Sequence, residues 1–185
     1  MSIIDWREIL ITTMFHIISI LRIDRVLRLN KLALIKGTSY PITDYFKGLE
    51  KVQAVRQIFG DKTEEVLRNL QIEFTWIGGY MWVNSADGHI MVDARYLNKG
   101  DKIDVYLDLI HELVHVKQFM EGKKLFDNDY SYVERPTEVE AYRFAVEEAR
   151  RLGLTDERIC QYLKTEWMSN GDLKKLAKTL KVRCA

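Results

Sequence analysis

The sequence has few of the residues that break helices and few that cross-link a chain. Among 185 residues there are only 2 prolines and 10 glycines, so long helices are expected. There are also only 2 cysteines, Cys160 and Cys184, which lie far apart and form no Cys-x-x-Cys motif. This pattern favours two free thiols and a reducing, cytoplasmic location over a disulfide-stapled secreted domain.

An excess of charge of one sign is also missing. Lys and Arg together number 28 and Asp and Glu 27, so no overall field attracts nucleic acid or an anionic membrane. Three basic residues, Lys117, Lys123 and Lys124, have no accompanying stripe of aromatic residues and are expected on a solvated face. We therefore expect no nucleic-acid partner. The 47% of hydrophobic residues suffices for one sizeable core.

No hydrophobic run is long enough to cross a membrane. The apolar run over residues 9–23 is shorter than the about 20 residues that a bilayer requires, and no signal-peptide cleavage site follows it. Its apolar positions continue to residue 35 with helical spacing. Residues 1–36 are therefore predicted to form an amphipathic helix that packs on a domain over residues 37–185. Attachment of residues 9–35 to a membrane surface or to a partner helix is the alternative.

Chain breakers and changes of period divide the remaining chain. A breaker cluster at residues 36–41 precedes two predicted helices, 43–59 and 62–70. Three segments rich in β-branched and aromatic residues follow, and Gly-Gly and Asp-Gly pairs separate them. They predict a three-stranded antiparallel meander over 71–77, 80–84 and 89–93. Helical periodicity then predicts four helices, over 103–120, 136–152, 156–167 and 172–180. The expected fold class is α+β, mostly helical, with a small sheet ahead of the first of these helices.

Half of the 4 histidines lie in one pentapeptide, His111-Glu112-Leu113-Val114-His115, on the helix that follows the sheet. Because residues i and i+4 lie one above the other on a helix, both imidazoles can converge on one Zn²⁺ per chain. Glu112 can reach a metal-bound water, accept its proton and pass that proton to a leaving amine. The pattern predicts a zinc site with Glu112 as the catalytic base, and a chance occurrence is the alternative.

A catalytic zinc site usually has a third protein ligand, and no histidine follows His115. A carboxylate is therefore expected from the acidic residues downstream, which are Asp127, Asp129, Glu134, Glu138 and Glu140. Residues two apart on a helix point about 200° away from each other, so only one of Glu138 and Glu140 can face the metal.

The two helix faces distinguish these glutamates. The face of Glu138 carries an apolar stripe with small residues that let another helix approach, namely Ala141, Tyr142, Ala145, Ala149 and Leu152. The face of Glu140 is more polar and carries Phe144, Glu147, Glu148 and Arg151. Glu138 is the predicted ligand and Glu140 the second choice, with a salt bridge at the surface as the expected role of Glu140.

Together the two motifs resemble gluzincins, in which H-E-x-x-H is followed by a glutamate on a second helix. Residues 138–145, EVEAYRFA, are similar to the E-x-x-A-[ND]-x-F-A stretch of ImmA/IrrE-type and minigluzincin-like metallopeptidases. The resemblance covers residues 71–152. It implies a zincin-like zinc peptidase that acts on a protein or peptide, with Glu138 as metal ligand and Glu112 as general base. Tyr142 stands where these families often carry Asp or Asn.

In zincins a strand edge beside the cleft commonly holds an extended peptide, and here residues 88–93 or 80–84 are the candidates. A donor for the oxyanion is also expected, and Tyr130, Tyr132 and Tyr142 are possible without any one of them being assigned. The four tryptophans and His89 are expected to pack in the core or in the hairpins.

The sequence thus predicts a zinc metallopeptidase, with two alternatives. One is a zinc-binding interaction module without turnover, which the intact Glu112 argues against because such a module needs no carboxylate beside a metal-bound water. The other is a latent peptidase whose residues 1–36 occlude the cleft.

Overall fold

The computed structural model describes residues 38–184 and, in the N-terminal segment, Thr13, Met14, Ile17, Leu21 and Ile23. These five residues are helical. Ile23 is 1% exposed and belongs to the core, whereas the other three apolar side chains are exposed. The rest of the helix predicted over residues 1–36, with its suggested roles, lies outside the described residues.

Four strands form one mixed sheet in the described part of the chain: β1 (Ser39–Pro41), β2 (Gln71–Thr75), β3 (Met81–Val83) and β4 (Ile90–Asp93). Their order across the sheet is β1-β2-β4-β3. β1 pairs antiparallel with β2, β2 pairs parallel with β4, and β3 pairs antiparallel with β4. β4 is therefore a central strand and β3 an edge strand.

The α+β class is confirmed, but the predicted three-stranded antiparallel meander is wrong. β1 was not expected, and β2 and β3 form no hairpin, although Gly78 has the positive φ (90°) expected of a tight turn. Asp93 at the end of β4 holds the β2–β3 loop instead: its carboxylate accepts a hydrogen bond from Gly78 N–H (2.9 Å), and its own N–H donates to Tyr80 O (3.0 Å). β4, with the fully buried Ile90 and Val92, occupies the space between β2 and β3.

Helices account for most of the remaining described chain. Numbered in chain order from β1 onward they are α1 (Ile42–Tyr45), α2 (Gln53–Phe59), α3 (Thr63–Asn69), α4 (Ala94–Lys99), α5 (Lys102–Met120), α6 (Pro136–Arg151), α7 (Asp156–Leu163) and α8 (Asn170–Thr179). Short 3₁₀ turns lie at Leu49–Lys51, Gly60–Lys62 and Tyr132–Glu134. The predicted helix over 43–59 is divided because Gly48 adopts a left-handed conformation (φ 89°).

The two helices predicted to carry the motifs are confirmed as α5 and α6. Asp101 caps α5 because its side chain accepts hydrogen bonds from the backbone N–H groups of Ile103 (3.0 Å) and Asp104 (3.1 Å). Pro136 occupies the first turn of α6, where its missing N–H costs no hydrogen bond. Gly153, with φ 81°, follows the end of α6.

The core lies around α5, which packs against α6, α2 and β3. Most of its residues are buried, on all sides of the helix. Ala141, Ala145 and Ala149 of α6 are fully buried, and their small side chains allow α6 to approach α5 closely. The segments that carry the two motifs are thus held against each other by the main core of the domain.

The two cysteines form a disulfide, so the prediction of two free thiols is wrong. Cys160 lies in α7, and Cys184 follows α8, with 24 residues of separation and 5.5 Å between the Cα atoms. Helix α8 packs against α7 and turns the chain back. The distance along the sequence therefore gave no indication of the distance in space.

Candidate metal centre

His111, Glu112 and His115 all lie on the buried middle of α5. Their i, i+1 and i+4 spacing places the two imidazoles on one face, and the surrounding core holds the helix in position. Glu138 lies in the first turn of α6 and is 5% exposed. Because α5 and α6 pack along each other, the Glu138 carboxylate meets the two imidazoles at the helix interface.

The three side chains form a compact group of ligand atoms. The Nε2 atoms of His111 and His115 are 3.0 Å apart, and Glu138 Oε2 lies 3.3 Å from the first and 3.5 Å from the second. Ligands held at about 2.0–2.1 Å around a tetrahedral zinc ion are separated by about 3.3–3.4 Å. The spacing and the two-histidine, one-carboxylate donor set therefore fit Zn²⁺ with a fourth position for water.

The charges of this group are coupled. Burial opposes ionisation of Glu138, but hydrogen bonds with His111 and His115 outweigh burial and lower the pKa of Glu138 well below its usual range. Burial would also lower the pKa of His115, but Glu138 and Glu112 raise that pKa to about 9. The pKa of His111 is lowered, mainly by burial. Without a metal, His115 therefore carries a proton beside an ionised Glu138, and a divalent cation would replace that proton.

Gln118 orients His115. Its Nε2 donates hydrogen bonds to Thr137 O and Glu140 Oε2, both at 3.0 Å, and these two atoms can only accept. The amide oxygen of Gln118 must then face His115 Nδ1, at 2.7 Å, so Nδ1 carries the hydrogen. Nε2 therefore faces Glu138 and His111, and once its proton is displaced its lone pair is directed to where a metal ligand is needed.

His111 has a different environment. Its Nδ1 is buried and has no hydrogen-bond partner in the described structure. Tyr142, at the position where the resembling families often carry Asp or Asn, packs its ring edge-on against the His111 ring at 4.4 Å between centroids. The Tyr142 hydroxyl pairs with the Tyr132 hydroxyl at 3.0 Å. Packing, rather than a carboxylate, thus holds this imidazole.

Glu112 lies beside the group and faces β3. A backbone hydrogen bond from Val83 reaches its carboxylate, while its Oε2 atom is buried and has no partner within the described part of the chain. Burial raises the pKa of Glu112 to about 8; the charges of Glu138 and Asp108 act in the same direction, and that of His115 opposes them. A nearby cation would lower this pKa, so that Glu112 would be an ionised carboxylate whose Oε2 can accept a proton.

His111 and Glu112 open onto a cleft of about 480 Å³. Its walls are the β2–β3 loop, the edge strand β3, the outer face of α5 and the chain that follows α7. Tyr132 and Tyr142 line this cleft, and Tyr130, which is 48% exposed, does not. Two of the three candidate oxyanion donors are therefore near Glu112.

The other candidate third ligands lie away from the group. Asp127 pairs with Lys124 at 2.8 Å, and Glu134 accepts a hydrogen bond from Ser131 at 2.5 Å. Asp129 is exposed.

Glu140 accepts hydrogen bonds from Lys123 (2.9 Å) and Gln118 (3.0 Å), so it has both the expected salt bridge and an indirect link to His115. Lys117 pairs with Glu121 at 3.0 Å. Glu148, expected on the solvated face of α6, is instead 4% exposed and bonded to the Tyr106 hydroxyl.

Two features near the site were not anticipated. Gln118 is fully buried, and its position three residues after His115, on the same face of α5, was the available signal. Trp76 and Trp167, expected in the core or hairpins, are 44% and 60% exposed, and Trp167 lines the cleft. Trp82 is half-buried in β3, and Trp6 lies outside the described residues.

Comparisons of the chain with protein-family models, with curated proteins and with solved structures gave no match. Within residues 38–184 and the five described N-terminal positions, no helix is long and apolar enough to cross a bilayer. The grouping of His111, His115 and Glu138, all buried, is therefore the main structural observation that bears on function.

Proposed function

We propose that this protein is a zinc-dependent metallopeptidase that hydrolyses peptide bonds. One observation carries the proposal: two imidazole nitrogens and one carboxylate oxygen converge at zinc-ligand spacing, and Glu112, whose Oε2 has no partner among the described residues, lies beside them on an open cleft. His111, His115 and Glu138 would hold the ion. When bound, zinc would lower the pKa of a coordinated water to about 7 and polarise the peptide carbonyl.

The chain's own residues have separate roles in this mechanism. Glu112 accepts a proton from the water whose oxygen attacks the carbonyl carbon, and it then passes that proton to the nitrogen of the leaving amine as the C–N bond breaks. Tyr132 and Tyr142 place two hydroxyl groups at the cleft wall, where one can donate to the developing oxyanion. Gln118 keeps the Nε2 lone pair of His115 directed at the ion.

The peptide would bind along β3. Of the two candidate segments, 88–93 contains β4, which is paired on both sides, whereas 80–84 contains the edge strand β3. Val83 bonds to Glu112 from the unpaired edge, and Met81, two residues earlier, presents its backbone to the same edge. An extended peptide added at this edge would lie across Glu112 and the metal position.

The first experiment measures zinc by elemental mass spectrometry and hydrolysis of a mixed peptide pool after zinc is restored to chelator-treated protein. We expect about one zinc per chain, which His115→Ala and Glu138→Gln lose and Glu140→Gln retains. Glu112→Gln should keep zinc and lose hydrolysis. Zinc loss in Glu140→Gln with retention in Glu138→Gln would move the ligand by two residues. Zinc binding without hydrolysis in the parent would favour the interaction module.

A cytoplasmic location was expected from free thiols, and the disulfide removes that argument because such bonds persist mainly in oxidising compartments. Rapid alkylation of fresh cell extracts distinguishes the two cases. Free Cys160 and Cys184 thiols would support the cytoplasm, and an intact disulfide would support an oxidising compartment.

A further inference from the structure

The cleft has a second end that the proposed mechanism does not use. Asp108 lies one turn before Glu112 on the same face of α5, and it lines the cleft together with four of the seven aromatic residues found there. We call this end, formed by Tyr80, Tyr96, Asp108, Tyr162 and Trp167, the acidic-aromatic pocket. It adjoins the metal group through α5.

The negative charge of this pocket is centred on Asp108. Asp101 and Asp104, also on the cleft wall, are both paired with Arg158, at 2.9 and 2.6 Å. The groups that act on the Asp108 carboxyl are Tyr96, whose hydroxyl donates to it at 2.5 Å, Tyr162 and Asp104, none of which is a cation. Burial raises the pKa of Asp108 to about 6, so the group is still ionised at neutral pH.

No counter-ion for this charge lies in the pocket among the residues that the structure describes. Among the described residues that line the cleft, Lys164 is the only cation, and its side chain is exposed at the rim. A carboxylate in a largely buried position is costly without a charged partner. This makes the pocket complementary to a cationic group that arrives from outside.

Two buried hydroxyl groups on the cleft wall give a second indication of a ligand. Tyr162 is 8% exposed, and its hydroxyl lies near the Asp108 carboxylate but has no hydrogen-bond partner of normal geometry among the described residues. Thr165 Oγ1, on the same wall, is buried and has no partner in the described part of the chain. A buried hydroxyl without a partner costs about 1–3 kcal/mol. Both atoms can accept a hydrogen bond from an N–H group placed in the pocket.

The aromatic rings complete the pocket. Tyr80 packs edge-on against Tyr96 at 4.8 Å and against Trp167 at 5.5 Å between centroids. Trp167 is 60% exposed, so its ring is accessible to a ligand. Aromatic faces attract guanidinium and ammonium groups, and the aliphatic stems of Arg and Lys pack on apolar surface.

We propose that the acidic-aromatic pocket binds the cationic side chain of an Arg or Lys residue in the peptide substrate, with Asp108 as its counter-ion. This inference rests on the proposed function in one respect, namely that the peptide bound in the pocket is the substrate cleaved at the metal centre. The metal group and the pocket share one cleft, so a peptide on β3 can reach both.

Binding is measured by calorimetry with the zinc-loaded Glu112→Gln variant, so that no peptide is consumed. The probes are N-acetylated, C-amidated alanine-based peptides with one central Arg, one central Lys or one central citrulline, which keeps the shape of Arg without its charge. We expect the Arg and Lys peptides to bind about 10- to 100-fold more tightly than the citrulline peptide.

Two variants, each added to the Glu112→Gln background, localise the effect. Asp108→Asn keeps an acceptor for Tyr96 and should bring the Arg-to-citrulline affinity ratio close to unity. Trp167→Ala removes an exposed ring, which should not affect folding, and should lower the ratio about three- to tenfold. Asp61→Asn, which removes a negative charge from an exposed residue that does not line the cleft, is the control and should leave the ratio unchanged.

Equal binding of the Arg and citrulline peptides would overturn the pocket assignment, and so would an Arg preference that survives Asp108→Asn. The citrulline peptide without its N-acetyl group tests the α-ammonium group: if this peptide binds tightly and the acetylated Arg and Lys peptides do not, the cation is the α-ammonium group and the side-chain proposal is overturned. Failure of the proposed function gives a different result. A parent protein that holds no zinc or hydrolyses no peptide refutes the peptidase. A preference for charged peptides that is lost in Asp108→Asn still supports the pocket in that case.

Discussion

Replacing Gln118 with Met should weaken metal binding, although Gln118 contacts His115 on the side away from the metal position. Gln118 is fully buried and makes three hydrogen bonds, to His115 Nδ1 (2.7 Å), Thr137 O (3.0 Å) and Glu140 Oε2 (3.0 Å). Met has a similar length and a flexible apolar side chain, so the substitution removes the hydrogen bonds and largely keeps the packing.

The magnitude follows from the groups left without partners. His115 Nδ1–H would lose its partner, whereas the Thr137 carbonyl keeps the helical hydrogen bond from Ala141 N–H and Glu140 keeps Lys123. An unsatisfied buried donor costs about 1–3 kcal/mol, so we expect the free energy of unfolding to fall by about 1–3 kcal/mol. Loss of the fixed ring orientation of His115 should lower zinc affinity by about 10- to 100-fold.

Zinc affinity is measured by competition with a chelator of known affinity, and circular dichroism shows whether the variant is folded under the same conditions. Glu140→Gln is the matched control because its side chain retains an oxygen that accepts from Gln118. We expect it to change affinity much less than Gln118→Met. A folded Gln118→Met protein that binds zinc within about twofold of the parent would refute the orienting role.

Three further predictions concern the metal and the scaffold. Because His115, with its pKa raised to about 9, must lose a proton to bind zinc, affinity should fall about tenfold per unit as pH decreases below that value. Chelator competition near pH 7 and pH 8 tests this, and a pH-independent affinity would contradict it. Gly88 and Gly122 both have positive φ (81° and 73°), but a Cβ at Gly88 would overlap the Phe119 ring, whereas one at Gly122 would have no neighbour within 4 Å in the described part of the chain. Urea unfolding should therefore show that Gly88→Ala is less stable than Gly122→Ala by about 1–3 kcal/mol, and equal losses would argue against this packing. Cys160→Ser should lower the free energy of unfolding by about 3 kcal/mol because the disulfide closes a loop over 24 residues of separation. Reduction of the parent should have a similar effect, and a parent that is insensitive to reductant would show that the bond does not form.

The local order of the site was predictable from the sequence. The relation of His111 to His115 depends only on the helical repeat, and the caps of α5 and α6 are set by residues within one turn, such as Asp101 and Pro136. The preference for Glu138 over Glu140 came from the same repeat and from the small residues on one face of α6. The structure brings Glu138, and not Glu140, into the group with the two histidines.

Other features depend on contacts between distant parts of the chain. Because β2 pairs in parallel with β4, the β2–β3 loop must cross the end of β4, which comes later in the sequence. Asp93, at the end of β4, holds this loop through Gly78, 15 residues earlier in the chain. Gln118 is bonded to Thr137, and Cys160 meets Cys184 only after α8 has turned back. None of these partners lies within a helical turn or a tight hairpin of the other.

The physical reason for this division is the range of the interactions. Helix periodicity, capping and the spacing of the H-E-x-x-H motif involve groups within about four residues, so the sequence alone determined them. Strand order, the disulfide, the orientation of His115 and the acidic-aromatic pocket arise when the core closes loops between distant segments. Many arrangements of the loops between distant segments are compatible with the same helix and strand pattern in the sequence. Only the packing of the complete tertiary structure selects one of them.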